Sequence, residues 1–218
     1  MTDDLKSEPQ RESDAAFWDA RYQENHRIWS GNPNAALVKE VAGLTPGRAL
    51  DLGCGEGADA IWLARQGWQV TATDISQVAL GRAAEQGTVA GVADRIDWQL
   101  HDLGASFPTG SFDLVSAQYL HSRGDTMPRE RILRSAAGAV APGGVLLIVG
   151  HSGVANWEHN HHPEVHLPSP EEVLAALALP ADKWETLVCE EHENIRTAPD
   201  GTVVGHTDNT LKLRRLPD

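Results

Sequence analysis

The chain has two cysteines in 218 residues, no long apolar run and no basic cluster, and each shortage excludes something. Cys54 and Cys189 lie far apart, one inside a glycine-rich stretch, so a disulfide framework is excluded and both are expected as free thiols in a reducing cytoplasm. No run approaches the ~18 consecutive apolar residues that span a membrane. The acidic N-terminus also lacks the basic-then-apolar order of a signal peptide, so the expectation is a cytoplasmic protein with no membrane partner. With 18 basic against 31 acidic residues the formal charge is −13, which opposes the counterion displacement a nucleic-acid binder needs. Arg129, Arg131 and Arg134 are interleaved with apolar residues and read as a solvated helix face rather than a patch. No cysteine accompanies the run His159, His161, His162 and His166, and only Glu158 and Glu164 lie nearby, so no metal is expected there. The partner that remains is a small molecule. The composition is otherwise ordinary, with 41% hydrophobic and 22% charged residues, and the length suits one domain.

What is present centres on Ala49-Leu-Asp-Leu-Gly-Cys-Gly-Glu-Gly57, followed by Ala58 to Arg65. It reads as a short buried strand, a glycine turn and a helix. Gly53, Gly55 and Gly57 leave no Cβ between the main chain and whatever lies above the turn. A second strand-like run, Trp68 to Thr73, ends in Asp74. A glycine turn after one strand and an acid at the tip of the next hold a nucleoside in an open α/β sheet, the acid taking the ribose hydroxyls. Gly53-x-Gly55-x-x-Ala58 also fits the relaxed dinucleotide pattern, so the glycines leave a nicotinamide enzyme open. Asp51 tips the balance. A carboxylate beside the turn repels a pyrophosphate but suits the ammonium and sulfonium of S-adenosyl-L-methionine (SAM).

Asp51-x-Gly53-x-Gly55-x-Gly57, followed in order by Asp74, Asp102 and Pro142-Gly-Gly144, resembles the class I SAM-dependent methyltransferases over roughly residues 15 to 216. The resemblance implies SAM as cofactor, S-adenosyl-L-homocysteine as product, and a single methyltransferase domain over 15–218 behind a disordered tail at 1–14. Alternation of strand and helix implies a parallel sheet. The closing hairpin adds the antiparallel strand that this family shows. The expected fold class is therefore α/β, a Rossmann-like, doubly wound, seven-stranded sheet, mostly parallel with an antiparallel C-terminal strand, flanked by helices. Phe17-Trp-Asp-x-Arg21-Tyr22 and Trp29-Ser-Gly-x-Pro33 look like the small bacterial branch near thiopurine and tellurite-resistance methyltransferases, which implies a soft nucleophile as acceptor.

Along the chain, the spacing predicts N-terminal cap helices within 15–45, the second with Asn32 as N-cap and Pro33 at its first position. Strands are expected near 48–52, 68–73, 96–100, 112–117 and 145–149, with Pro142-Gly-Gly144 as the turn before the last. Helices are expected at 58–66, from Ser76 to about Glu85 with loop from Gly87 to Asp94, and from a cap at Asp125 or Thr126. A further helix opens at the capping box Ser169-Pro-Glu-Glu172, and Trp184–Glu191 pairs with Val203–Arg215 around Asp200-Gly201. Residues 151–168, with Trp157, read as a lid loop.

Because ligands lie over the C-terminal ends of the strands, that rule selects the site. Asp51, Gly53, Cys54 and Gly55 approach the methionine part of SAM, Asp74 the ribose, and Ile75 the adenine face. Asp102 accepts from the adenine amino group, Leu103 offers its N–H, and Ala117 and Gln118 stand where the family presents a carbonyl to the ammonium. Arg21, Trp29, Tyr119, His121 and His151 are the candidate acceptor-binding residues. Methyl transfer is an in-line displacement governed by alignment, and a base matters only for an acceptor that must lose a proton. No catalytic residue is therefore required, and His121 and His151 are candidates if one is used. A thiol or chalcogen acceptor, an O- or N-methyltransferase, and a SAM-binding protein without transferase activity all remain open.

Overall fold

The computed structural model describes residues 13–120, 127–154, 166–197 and 203–217. Two helices, α1 (Asp14–Glu24) and α2 (Ala35–Val41), precede β1 (Arg48–Leu52), α3 (Ala58–Arg65) and β2 (Gln69–Asp74). Then come α4 (Gln77–Val89), β3 (Ile96–Leu100), β4 (Phe112–Gln118), α5 (Arg129–Gly138) and β5 (Val140–Val154). The chain closes with β6 (His166–Leu167), α6 (Pro170–Leu177), β7 (Trp184–Thr197) and β8 (Val203–Arg215). Seven strands form one sheet in the order β3-β2-β1-β4-β5-β8-β7, and the two-residue β6 pairs with β5 off this path. The pairs from β3 to β5 are parallel, and β8 runs antiparallel to both β5 and β7. This is the expected fold. No helix among the described residues is long and apolar enough to cross a membrane.

Strand register sorts the side chains by face. Ala49, Val70, Ala72, Leu114, Leu147 and Val149 pack with Leu37 of α2 and Ala60, Ile61 and Leu63 of α3. Leu50, Leu52, Val115, Leu146 and Ile148 pack on the other side against Leu133 and Ala137 of α5 and Val173 and Leu177 of α6. Strands β1, β4 and β5 are apolar on both faces, as a parallel sheet covered twice must be. The order reverses between β1 and β4, the switch point where such sheets open a ligand crevice.

Several local expectations need correction. Helix α2 starts after Asn34, not at Pro33, and Asn34 makes no side-chain cap; its backbone and side-chain N–H both donate to Asp59 (2.7 and 2.8 Å). Helix α4 runs on to Val89, since Gly87 is buried with Trp98 beside it and needs no side chain there. Pro142-Gly-Gly144 is not a separate turn but a bulge inside β5, with Gly143 at φ 81° shifting the register between Phe112 and Leu114. Asp14 belongs to α1, capped by Ser13, rather than to the tail. The ends of the expected lid are strand: His151–Val154 continue β5 and His166–Leu167 pair with it. The rest of that loop, with Trp157 and His159 to His162, lies outside the described residues, as do Asp125, Thr126 and Asp200-Gly201. Of the α5 arginines, Arg131 and Arg134 are exposed, as a solvated face requires, and Arg129 is half-buried. Arg129 donates to the Leu120 carbonyl, Arg131 to that of Gly104 and Arg134 to that of Ala176.

Candidate functional site

The glycine turn has the conformation its residues permit. Gly53, Gly55 and Gly57 all take positive φ, at 72°, 53° and 82°. A Cβ at Gly53 would stand 2.7 Å from Leu120 Cδ1, and one at Gly55 3.1 Å from the Tyr22 hydroxyl. The turn is pinned to β2, where the Thr73 carbonyl accepts from Gly53 and Cys54 N–H (2.8 and 2.9 Å). Asp74, buried at the tip of β2, accepts from Gly55 N–H on one oxygen (2.8 Å) and from Ser76 N–H on the other (2.9 Å). The acid expected at the ribose thus also fastens the glycine turn to the start of α4. Burial raises its carboxyl above the ordinary range, and the N–H bonds from Ser76 and Gly55 oppose that rise.

Asp51 is only 2% exposed, and its Oδ2 has no hydrogen-bond partner among the described residues. Burial pushes its carboxyl well above the ordinary range, with Asp59 and then Asp74 adding repulsion. Register places Asp51 opposite Ser116, and Gln118 two residues on shares that face. Gln118 donates to Ser116 Oγ (3.0 Å), which leaves its buried Oε1 without a partner as well. A buried acceptor without a donor costs about 1–3 kcal/mol. Two such acceptors flank the switch point, one an acid, with no described cation paired to either. The set suits a ligand carrying an ammonium, and SAM fits it. Asp51 and Gln118 would hold the ammonium end, the Gly53–Gly55 backbone the methionine chain, and Asp74 the ribose. Burial, with the neighbouring acids Asp74 and Asp51, raises the Cys54 thiol well above the ordinary range.

The N-terminal segment covers this cradle through contacts that the spacing did not reveal. Glu56, in the turn itself, accepts from the N–H of Ile28 and of Trp29 (both 3.2 Å) and pairs with Arg82 of α4 (3.1 Å). Arg82 also donates to the Tyr22 carbonyl (2.6 Å). Asp19 accepts from Ser76 Oγ (2.6 Å) and Val78 N–H (3.1 Å), latching α1 onto the N-terminus of α4. The Trp29 indole donates to the Tyr22 hydroxyl (3.0 Å), and both groups lie over Gly55. Trp29 is therefore brought to the cradle with 45% of its surface exposed, and Tyr22 joins it. Arg21 is not: it points outward, 5.9 Å from the Trp18 ring. Asp102 lies past the edge strand β3, exposed, with Oδ1 accepting from Gly104 N–H (2.9 Å). Leu103 packs under the sheet beside the α5 cluster, Ile75 is half-buried beside Asp74, and Ala117 is buried within β4. His121 lies outside the described residues.

A second polar cluster stands at the ends of β4, β5 and β8. His151 Nδ1 is 2.8 Å from Asp208 Oδ1, and the Tyr119 hydroxyl donates to Asp208 Oδ2 (2.8 Å). The Tyr119 and His151 rings lie 4.8 Å apart, and Tyr119 takes a positive φ of 51°. Asp208 is fully buried, and Asn209 donates to the carbonyls of Pro168 (2.8 Å) and His151 (3.4 Å). The sequence singled out Tyr119 and His151 but not Asp208. The only clue to it was a polar Asp208-Asn209 pair inside an otherwise strand-like run.

Residues 49–144 match the family of methyltransferase domains. Over 108 residues the chain is 33% identical to ribosomal RNA small subunit methyltransferase C of Alcanivorax borkumensis, covering 49% of this chain and 33% of that protein. Over 124 residues it is 36% identical to an uncharacterized methyltransferase of Mycobacterium bovis, covering 56% of this chain and 59% of that one. The chain thus spans about a third of the length of the ribosomal RNA methyltransferases it matches. Among solved structures, TehB from Haemophilus influenzae superposes with a TM-score of 0.65 at 19% identity, covering 91% of this chain and 67% of that one. A protein studied in the conversion of a disulfide bond into a thioacetal group during echinomycin biosynthesis gives 0.67 at 24% identity, covering 93% and 91%. These likenesses show the fold. The matched stretch, which holds the glycine cradle and its buried acid, is thus a methyltransferase domain over residues 49–144.

Proposed function

We propose that the protein transfers a methyl group from SAM to a small-molecule acceptor. The observation that carries this reading is the buried, unpartnered carboxylate of Asp51 beneath the glycine turn. When bound, SAM supplies a methyl group already activated by the positive sulfur. The chain's part is to bind, orient and exclude water. Asp51 and Gln118 attract and orient the ammonium end, Asp74 keeps the turn open for the backbone, and Tyr22 and Trp29 shield the turn from solvent. A small acceptor is supported by the charge of −13, which opposes the ribosomal RNA substrate named for two of the relatives. Calorimetry of the full chain with SAM, S-adenosyl-L-homocysteine and NAD tests the cradle, and labelled SAM with a panel of phenols, amines, thiols and halides tests transfer. The expected result is binding of the first two and methylation of at least one acceptor. Binding of NAD in preference to both would overturn the reading, and SAM binding with no transfer across the panel would favour a sensor or scaffold instead.

A further inference from the structure

We propose that the cavity between α5 and α6 anchors the acceptor and that Arg129 holds a carboxylate there, so that this enzyme methylates a small apolar acid. The inference rests on the methyltransferase reading and narrows its acceptor class, whichever atom takes the methyl group. The cavity measures about 230 Å³, and Leu133, Pro168, Val173, Ala176 and Leu177 give it apolar walls. That is a little under the ~300–1,000 Å³ of ordinary ligand sites, room for a ring or a short chain. Asn209 of β8 fixes one wall by donating to the Pro168 carbonyl (2.8 Å). Arg134 fixes another by donating to the Ala176 carbonyl (2.8 Å).

One cation is set into this apolar lining. Arg129 is half-buried, and its Nε donates to the Leu120 carbonyl (3.2 Å). Among the described residues its guanidinium has no carboxylate partner. Burial lowers it from its ordinary value, and no neighbouring acid offsets that fall. A guanidinium stays charged all the same, and its planar fork of N–H groups matches a carboxylate. The two acids that also line the cavity have other partners. Glu130 pairs with Arg134 (3.6 Å), and Glu172 accepts from the Ser169 N–H (2.8 Å) in the capping box of α6. Their charges still choose between anions. A carboxylate brings one negative charge and a phosphate up to about two, so the glutamates repel phosphate about twice as strongly.

The position of Arg129 ties the cavity to the cradle. Leu120, whose carbonyl it holds, lies against the glycine turn, with its Cδ1 2.7 Å from where a Gly53 Cβ would stand. On the other side, Nη2 comes to 3.5 Å from the Cβ position of Gly150, where β5 carries no side chain. The guanidinium thus reaches from the residue on the glycine turn to the end of β5, one strand beyond the switch point. An acid gripped there lies beside the methyl donor's cradle, and a two-pronged grip fixes its direction as well as its place.

Calorimetry of the full chain loaded with S-adenosyl-L-homocysteine tests the site, with 3-phenylpropionate, its amide and inorganic phosphate as probes. The acid should bind, with the amide at least about tenfold weaker. Arg129→Gln should bring the acid down to the level of the amide, and Arg129→Lys should restore part of the difference. Ala176→Phe, which fills the cavity from a half-buried helix position, should abolish binding of the acid while Tm and the affinity for S-adenosyl-L-homocysteine are kept. Transfer from labelled SAM is then compared within pairs that share a nucleophile: 3-(4-hydroxyphenyl)propionate against 4-ethylphenol, and 3-mercaptopropionate against ethanethiol. In at least one pair the acid should show a kcat/KM about 10- to 100-fold higher, chiefly through KM, and Arg129→Gln should erase the gap. No binding of the acid, equal binding of acid and amide, or tighter binding of phosphate overturns the carboxylate site. An acid that binds but gains no advantage in either pair overturns its role as anchor. Failure to bind S-adenosyl-L-homocysteine at all strikes the methyltransferase reading instead.

Discussion

Burial raises the Asp51 carboxyl and two neighbouring acids raise it further, so this side chain works against the stability of the ligand-free fold. Its native pKa lies above its unfolded one, so between those values the folded state holds the extra proton. Stability therefore falls as pH rises through that window and stays at its lower level above it. Asp59 and Asp74, also raised chiefly by burial, act in the same sense. SAM binding runs the other way, because the ionised carboxylate attracts the ammonium. Affinity measured by calorimetry should climb as pH rises through the same window. Asp51→Asn should flatten that climb, weaken SAM binding by at least about tenfold (about 1.4 kcal/mol) and raise the Tm of the free protein. A lower Tm with unchanged affinity would mean that Asp51 is merely structural. At Gly55, alanine meets a positive φ and a 3.1 Å approach to Tyr22. Strain of about 1–3 kcal/mol should lower the Tm in thermal melts, and displacement of Tyr22 should weaken SAM binding.

The N-terminal helix is held to the sheet by a few specific bonds rather than by a broad apolar face: Tyr22 is its one buried residue. Hydrogen bonds to charged groups contribute about 1.5–3 kcal/mol each, so Asp19 and Glu56 govern whether this segment stays closed over the cradle. Hydrogen exchange should show residues 14–30 opening faster in Asp19→Ala, with β1, β4 and β5 unchanged. SAM should dissociate faster from that variant. Uniform loss of protection across the sheet would instead make the latch part of global stability. The Phe17–Tyr22 string announced a helix and hinted at its place over the ligand, but not which side chain reaches it. Trp29 was legible as a candidate, whereas Arg21, on the same helix as Tyr22, turns outward. A helix of 11 residues leaves its rotation to its partners, and those partners, Ser76 and Arg82, lie some 55 to 60 residues away.

The doubly wound sheet sets what the protein meets and how fast. SAM is a cation overall at neutral pH, and the protein carries a formal charge of −13. Stopped-flow association should therefore slow as ionic strength rises from about 10 mM to 150 mM, where the screening length shrinks from about 30 to 8 Å. The same charge predicts no shift of ribosomal RNA in a native gel at low salt. A salt-sensitive complex there would revive the substrate of the ribosomal RNA relatives. Within the core, Leu50 and Leu147 lie fully buried on opposite faces of the sheet, so alanine at either should cost about 2–5 kcal/mol in chemical denaturation.

Order along the chain was enough to determine the strand–turn–helix units, the glycine cradle and the acid within it. Those depend on local φ/ψ freedom, apolar runs and charges a few residues apart. Folding decided which distant residues meet. Asp208 lies 57 residues beyond His151, and only the antiparallel β5–β8 register sets their side chains on one face. A one-residue slip there would carry Asp208 to the opposite face of the sheet, and no local preference of either strand records that choice.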